Sequence, residues 1–130
     1  MKNKFDDLLK KMDLNYFGTG THKVSLNNAL ELKKKNEVFI LDVRTKEENE
    51  YVVIPFAYNI PTSEIVDRID ELPKDQIIAV FCSSATRATI VYAYLTLLDY
   101  DVKIILDSIG EIGSKFGPGF VLKNASNPNK

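Results

Sequence analysis

Short apolar runs constrain this chain more than any other feature. "VFILDV" (Val38–Val43), "IIAVF" (Ile77–Phe81) and "VKIIL" (Val102–Leu106) are β-rich and nearly unbroken by polar residues. A strand wetted on one side alternates, whereas a continuous run suits burial on both faces of a parallel sheet. "YNI" (Tyr58–Ile60) reads as a further short strand. The runs alternate with helical segments, so the crossovers are right-handed and helices cover both faces. The fold class is therefore α/β with a central, mainly parallel sheet.

The helical segments have recognisable signals. Phe5, Leu8, Leu9 and Met12 fall on one helix face, expected either to pack on the domain or to offer a dimer or partner surface. "YFGTGT" breaks that helix with two glycines. Ser25 can cap the next, in which Leu26, Ala29, Leu30 and Lys33 recur at helical spacing with the lysines expected in solvent. Pro61 with Thr62 or Ser63 opens a predicted helix carrying Ile65, Ile69 and Leu72, and Pro73 stops it. "RATIVYAYLTLL" is apolar nearly all round and is expected to lie deep, with Tyr92 and Tyr94 as core or interface aromatics. "IGEIGSKF" predicts a weak last helix that "GPG" ends.

Composition narrows the function classes. The 130 residues amount to one domain, and a net charge of −1 lacks the basic footprint of sequence-independent nucleic-acid binding. No apolar run approaches membrane-spanning length, and the start has no leader-like apolar stretch, so no membrane association and a cytoplasmic location are expected. A single cysteine, Cys82, cannot form an internal disulfide and fits a reducing compartment. The sole histidine, His22, has no ligand partner at metal spacing and reads as a solvated loop residue, so no metal is expected.

Cys82 stands where a strand ends and a helix begins, and Asp42 also falls at a strand C-terminus. Open α/β sheets place their sites beyond those ends. The turn after Cys82 brings successive N–H groups and a helix N-terminus toward the sulfur, which favours the thiolate. Ser83, Ser84 and Ala85 are small enough to curl around it, Thr86 follows, and Arg87 adds a fixed cation. The competing structural reading is a small apolar thiol in the core. Asp42 is a candidate support for the loop through a bond to it or to Arg87, while Arg44 is expected to pair with Glu47 or Glu48 on the next helical turn.

"LDVRTKEENEYVVIPFAYNIP" and "CSSATR", in that order, make residues 24–120 resemble the rhodanese family of sulfurtransferases. The resemblance implies a sheet of about five strands and a domain spanning residues 21–123. It is preceded by an amphipathic helix and linker (1–20) and followed by a polar tail (124–130) expected to be poorly ordered. It implies that Cys82 takes a sulfane sulfur from a donor as a persulfide and passes it to cyanide, a thiol or a protein cysteine, with no cofactor. Residues 83–87 would form the sulfur-binding loop. Three segments depart from the family pattern. Ala85 replaces a usual glycine and is expected at φ < 0, so that alanine is unstrained. Val52, Val53 and Phe56 replace a Gly-His-Ile-Pro-Gly edge, and "ILDSIGEIGSKFGPG" lacks the usual closing aromatic and double glycine. A rhodanese-fold binding or regulatory module with negligible turnover is the alternative. A phosphatase- or arsenate-reductase-like thiolate enzyme is a weaker one, because only four residues separate Cys82 from Arg87 where a phosphate cradle wants five.

Overall fold

The computed structural model describes residues 3–124. Its elements run α1 (Lys4–Lys11), α2 (Leu14–Thr19), β1 (Lys23–Val24), α3 (Leu26–Lys34), β2 (Val38–Asp42), α4 (Lys46–Tyr51) and β3 (Tyr58–Asn59). They continue with β4 (Ile77–Phe81), α5 (Thr86–Leu97), β5 (Val102–Ile105), α6 (Ile109–Ser114) and α7 (Pro118–Asn124). The five strands form one sheet in the order β1-β5-β4-β2-β3, and every pairing is parallel. Of the polar tail expected over 124–130, Asn124 ends α7 and residues 125–130 lie outside the described residues.

The pleat explains the continuous apolar runs. Leu41, Ile78 and Val80 join the core beneath α5, while Val38, Ile40, Ala79 and Phe81 join the core beneath α3. Successive side chains point to opposite faces, so a strand with a core on each side is apolar at every position. The missing fifth strand is β1, only two residues long and too short to carry a pattern.

Several expectations are corrected. The region from Thr62 to Leu72 holds two 3-10 turns, Thr62–Glu64 and Ile69–Glu71, rather than one helix. Arg68 between them leaves the helical region at φ −115° and ψ 20°. Ile65 and Leu72 are buried nonetheless. The "YFGTGT" segment is not a simple break, since α2 runs through Gly18 and ends at Gly20, whose φ of 68° suits glycine. Pro118 opens α7 instead of closing the chain's last helix, a first-turn position where its missing N–H is harmless. The helix α5 is one-sided: Ala88, Val91, Tyr92 and Leu95 are buried, but Ile90 is 60% exposed.

Two polar residues are deeper than expected. Lys33 extends the buried stripe of Leu26, Ala29 and Leu30, so its stem is covered, and burial pushes its pKa down. His22 is half-buried, stacked on Tyr16 and edge-on to Phe17, and burial with Lys23 and Lys103 nearby pushes its pKa down. Of the N-terminal face, Leu8 is buried and Met12 partly so, while Phe5 and Leu9 are about half exposed. Lys4 ties α1 to the end of α5 through the Leu97 carbonyl and Asp99. Phe56 is buried against Phe116 and Phe120, so the large residue at this edge docks the C-terminal helices.

Asp42 and Arg44 form a buried pair at the end of β2. The Asp42 carboxylate accepts from Arg44 N, Nε and Nη2, the last at 2.8 Å, and both side chains are at most 2% exposed. Arg44 Nη2 also donates to the Val52 carbonyl at 2.8 Å, and Asn59 Nδ2 donates to the carbonyls of Asp42 and Arg44. Arg44→Ala strands a buried carboxylate and should lower unfolding free energy by about 3–5 kcal/mol, read from the denaturant midpoint.

Candidate active site

The cysteine loop begins where β4 ends. Val43 N donates to the Phe81 carbonyl at 3.0 Å, and Ile109 N donates to the Ser83 carbonyl at 3.0 Å. The loop is thus held between the end of β2 and the start of α6, beyond strand C-termini. Cys82 is 1% exposed on the α5 face of the sheet.

The start of α5 is built around the sulfur. Ala85 is the N-cap residue and offers no side-chain acceptor to the first turn. Cys82 Sγ occupies that role, accepting from Ala88 N at 3.4 Å. Ala85 itself has φ 78° and ψ −19°, the left-handed region, which corrects the expected φ < 0. The chain adopts the glycine-like turn and carries a methyl group there. The Ala85 carbonyl accepts from Thr89 N at 2.9 Å and Thr89 Oγ1 at 2.8 Å, which holds the strained residue. Ser84 and Thr86 face solvent.

Arg87 reaches across the loop. Its Nη1 donates to Glu48 Oε1 at 2.6 Å, and its Nη2 donates to Glu48 Oε2 at 3.0 Å and to Ser83 Oγ at 2.9 Å. The hydrogen bonds to Glu48 raise the Arg87 pKa most, and the Cys82 sulfur adds to the rise. Glu48 is aimed by its own helix: Thr45 and Glu48 form a reciprocal cap at the start of α4. The Arg87 hydrogen bonds and the Thr45 N–H hold its carboxyl down at about 2.

The candidate residues therefore separate into two groups. Cys82, Ser83, Ala85 and Arg87 converge. Asp42 touches neither the loop nor Arg87, and Arg44 does not pair with the carboxylate of Glu47 or Glu48; they hold each other. Glu48 joins the site instead, and the Thr45-x-x-Glu48 spacing was the signal for its orientation. A separate cavity of about 350 Å³ lies at the open edge of β2, between Lys33, Phe39, Phe56 and Tyr58, and is lined by none of the loop residues.

A parallel α/β sheet presenting a thiol in a strand–loop–helix turn defines the class, and the comparisons give the family. Residues 25–114 match the family model described as "Rhodanese-like domain", and the chain belongs to that family. It is 33% identical over 69 residues to a protein named "Sulfurtransferase" from Allochromatium vinosum, covering 53% of this chain and 64% of that one. It is 35% identical over 68 residues to the HTH-type transcriptional regulator Rv0324 of Mycobacterium tuberculosis, covering 52% of this chain and 30% of that one. The matched stretch thus spans less than two thirds of either relative. The human single-domain sulfurtransferase TSTD1 shares the fold, with a TM-score of 0.60 and 24% identity over 75% of this chain and all of that one. No helix among the described residues is long and apolar enough to cross a membrane.

Two predictions follow from this geometry. Ala85→Gly removes a left-handed alanine and should raise unfolding free energy by roughly 0.5–1 kcal/mol after the entropy of the more flexible unfolded chain is subtracted. The denaturant midpoint reports it. The Glu48 carboxyl is depressed on folding, so its stabilising contribution is complete above its ordinary value of 4.5 and is lost as pH falls toward about 2. The difference in melting temperature between wild type and Glu48→Gln should shrink across that window.

Proposed function

We propose that this protein is a sulfurtransferase in which Cys82 carries a sulfane sulfur as a persulfide. The observation that carries this reading is the Ala88 N–H donated to Cys82 Sγ at the start of α5, on a loop whose Arg87 is held in place by Glu48 and Ser83. Such a turn offers hydrogen-bond donors to the sulfur and, after transfer, to the persulfide. The Cys82 thiolate attacks the outer sulfur of the donor, and the donor's remainder leaves with the bonding electron pair. A thiophilic acceptor, such as cyanide, a small thiol or a protein cysteine, then takes the outer sulfur and returns the thiolate. Ser83 and Ser84 supply hydrogen-bonding groups at the rim, and Thr86 starts the helix that presents its N–H groups. Asp42 and Arg44 support the scaffold and do not meet substrate. The relative named "Sulfurtransferase" supports the reaction class.

A second reading follows from the 1% exposure of Cys82. A recessed thiol fits a module that binds sulfur and signals its state without rapid turnover. The relationship to a transcriptional regulator is consistent with that role.

Intact mass after treatment with sulfane donors tests both. One bound sulfur adds about 32 Da, and the adduct should be absent from Cys82→Ser. Arg87→Lys should load more slowly, because a point charge does not replace the planar fork. Loading followed by release to cyanide supports the transferase. Loading without release supports the module, and no adduct from any donor overturns both.

A further inference from the structure

We propose that the cavity at the open edge of β2 is a binding site for a flat aromatic carboxylate of one or two rings. None of the cysteine-loop residues lines it, so the proposal stands whether or not Cys82 turns over.

The cavity exists because β3 is short. All five residues of β2 pair with Ile77–Phe81 on one side. On the other side β3 pairs with Leu41 and Asp42 alone. Before Tyr58 the chain turns, with Ala57 N donating to the Ile54 carbonyl at 3.2 Å, instead of extending the ladder. Beside Val38, Phe39 and Ile40 the place of a strand is taken by a cavity of about 350 Å³. That is the small end of the range of about 300–1,000 Å³ usual for ligand sites, which suits one or two rings.

The pleat gives the cavity unlike walls. Ile40 and Phe56 belong to the core beneath α3, whereas Phe39 packs against the core beneath α5. Tyr58 stands with Phe39, their ring centroids 5.3 Å apart. A ligand in the layer of the missing strand therefore meets Phe39 and Tyr58 toward one face of the sheet and Phe56 toward the other. A layer bounded by rings on both sides suits a flat aromatic body better than a flexible chain. Phe56 is one of the residues at which this chain departs from the family pattern, and a glycine there would leave that wall open.

The walls are held in place before any ligand arrives. Tyr58 Oη donates to Glu71, whose carboxylate accepts from Arg68 Nε at 2.7 Å and Nη2 at 2.9 Å. Gln76 Nε2 donates to the Asn36 carbonyl at 2.9 Å, and both residues line the cavity. A preorganised site loses little entropy on binding. Charge completes the match. Among the described residues, Lys33 is the one charged residue that lines the cavity, and it is 7% exposed. Burial disfavours its ammonium, and a carboxylate in the cavity offsets that penalty.

The test is calorimetric titration of the full chain with 2-naphthoate, alongside 2-naphthamide and octanoate. 2-Naphthoate should bind saturably, one per chain and in the micromolar range. The uncharged amide and the flexible octanoate should each bind about tenfold more weakly or worse. Backbone amide resonances should shift at Val38–Ile40 and at Ala57 and Tyr58, and not at residues 83–88. Lys33→Met keeps an apolar stem, and it should reduce the preference for the acid over the amide to near one. Ala57→Leu fills the cavity with a larger side chain and should abolish binding of both ring compounds. No saturable binding of 2-naphthoate to wild type overturns the proposal. So does equal affinity for the amide or for octanoate, a shift centred on the cysteine loop, or unchanged binding in either folded variant. The comparison of the three probes on wild type decides the matter even where a variant fails to fold.

Discussion

The buried pair of Asp42 and Arg44 is the constraint on which the cysteine-loop end of the molecule depends. A desolvated carboxylate is tolerated only when its lone pairs are filled, and Arg44 fills them from its backbone and its side chain together. The same guanidinium reaches the Val52 carbonyl, and Asn59 ties the two carbonyls of the pair to β3. The path from β2 through α4 to β3 is thereby fixed without a disulfide. Glu48, on α4, inherits its position from this path, and through Glu48 so does Arg87. The pair thus acts on the loop from a distance, by fixing the helix whose carboxylate orients the loop's arginine.

Helix capping links this scaffold to the thiol. In an ordinary helix the N-cap residue supplies an oxygen to the first turn. Here the residue at that position is an alanine in a left-handed turn, and the sulfur of a residue three positions earlier accepts the bond. Local strain at Ala85 and the hydrogen bond at Cys82 are two sides of one arrangement. Curling the chain tightly enough to bring Ala88 N onto Sγ requires a conformation that L-residues disfavour.

Much of this was legible in the chain itself. The continuous apolar runs identified β2, β4 and β5, because a strand covered on both faces leaves a direct signature. The position of Cys82 at the end of one run put it just beyond a strand C-terminus, where the structure has it. What escaped were features set by tertiary partners. The two residues of β1 have no pattern of their own and are strand only because β5 lies beside them. Arg44 had a nearby carboxylate on the next turn, but a buried aspartate two residues away competed better, since its alternative was burial unpaired. Ala85 looked like a residue at ordinary φ because the intrinsic preference points that way, and the sulfur bond and Thr89 overrule it.

The sheet's connectivity has a consequence for the order in which the protein matures. Every ladder is parallel, so no two neighbouring strands can zip from a tight turn, and each pairing must close a long loop first. The thiol's surroundings draw on residues from Thr45 to Ile109, which brings together segments far apart in the chain. An unfinished or partly unfolded chain therefore lacks the enclosure around Cys82. Those surroundings are assembled late, as a property of the completed sheet, and the thiol is buried only once the chain has folded.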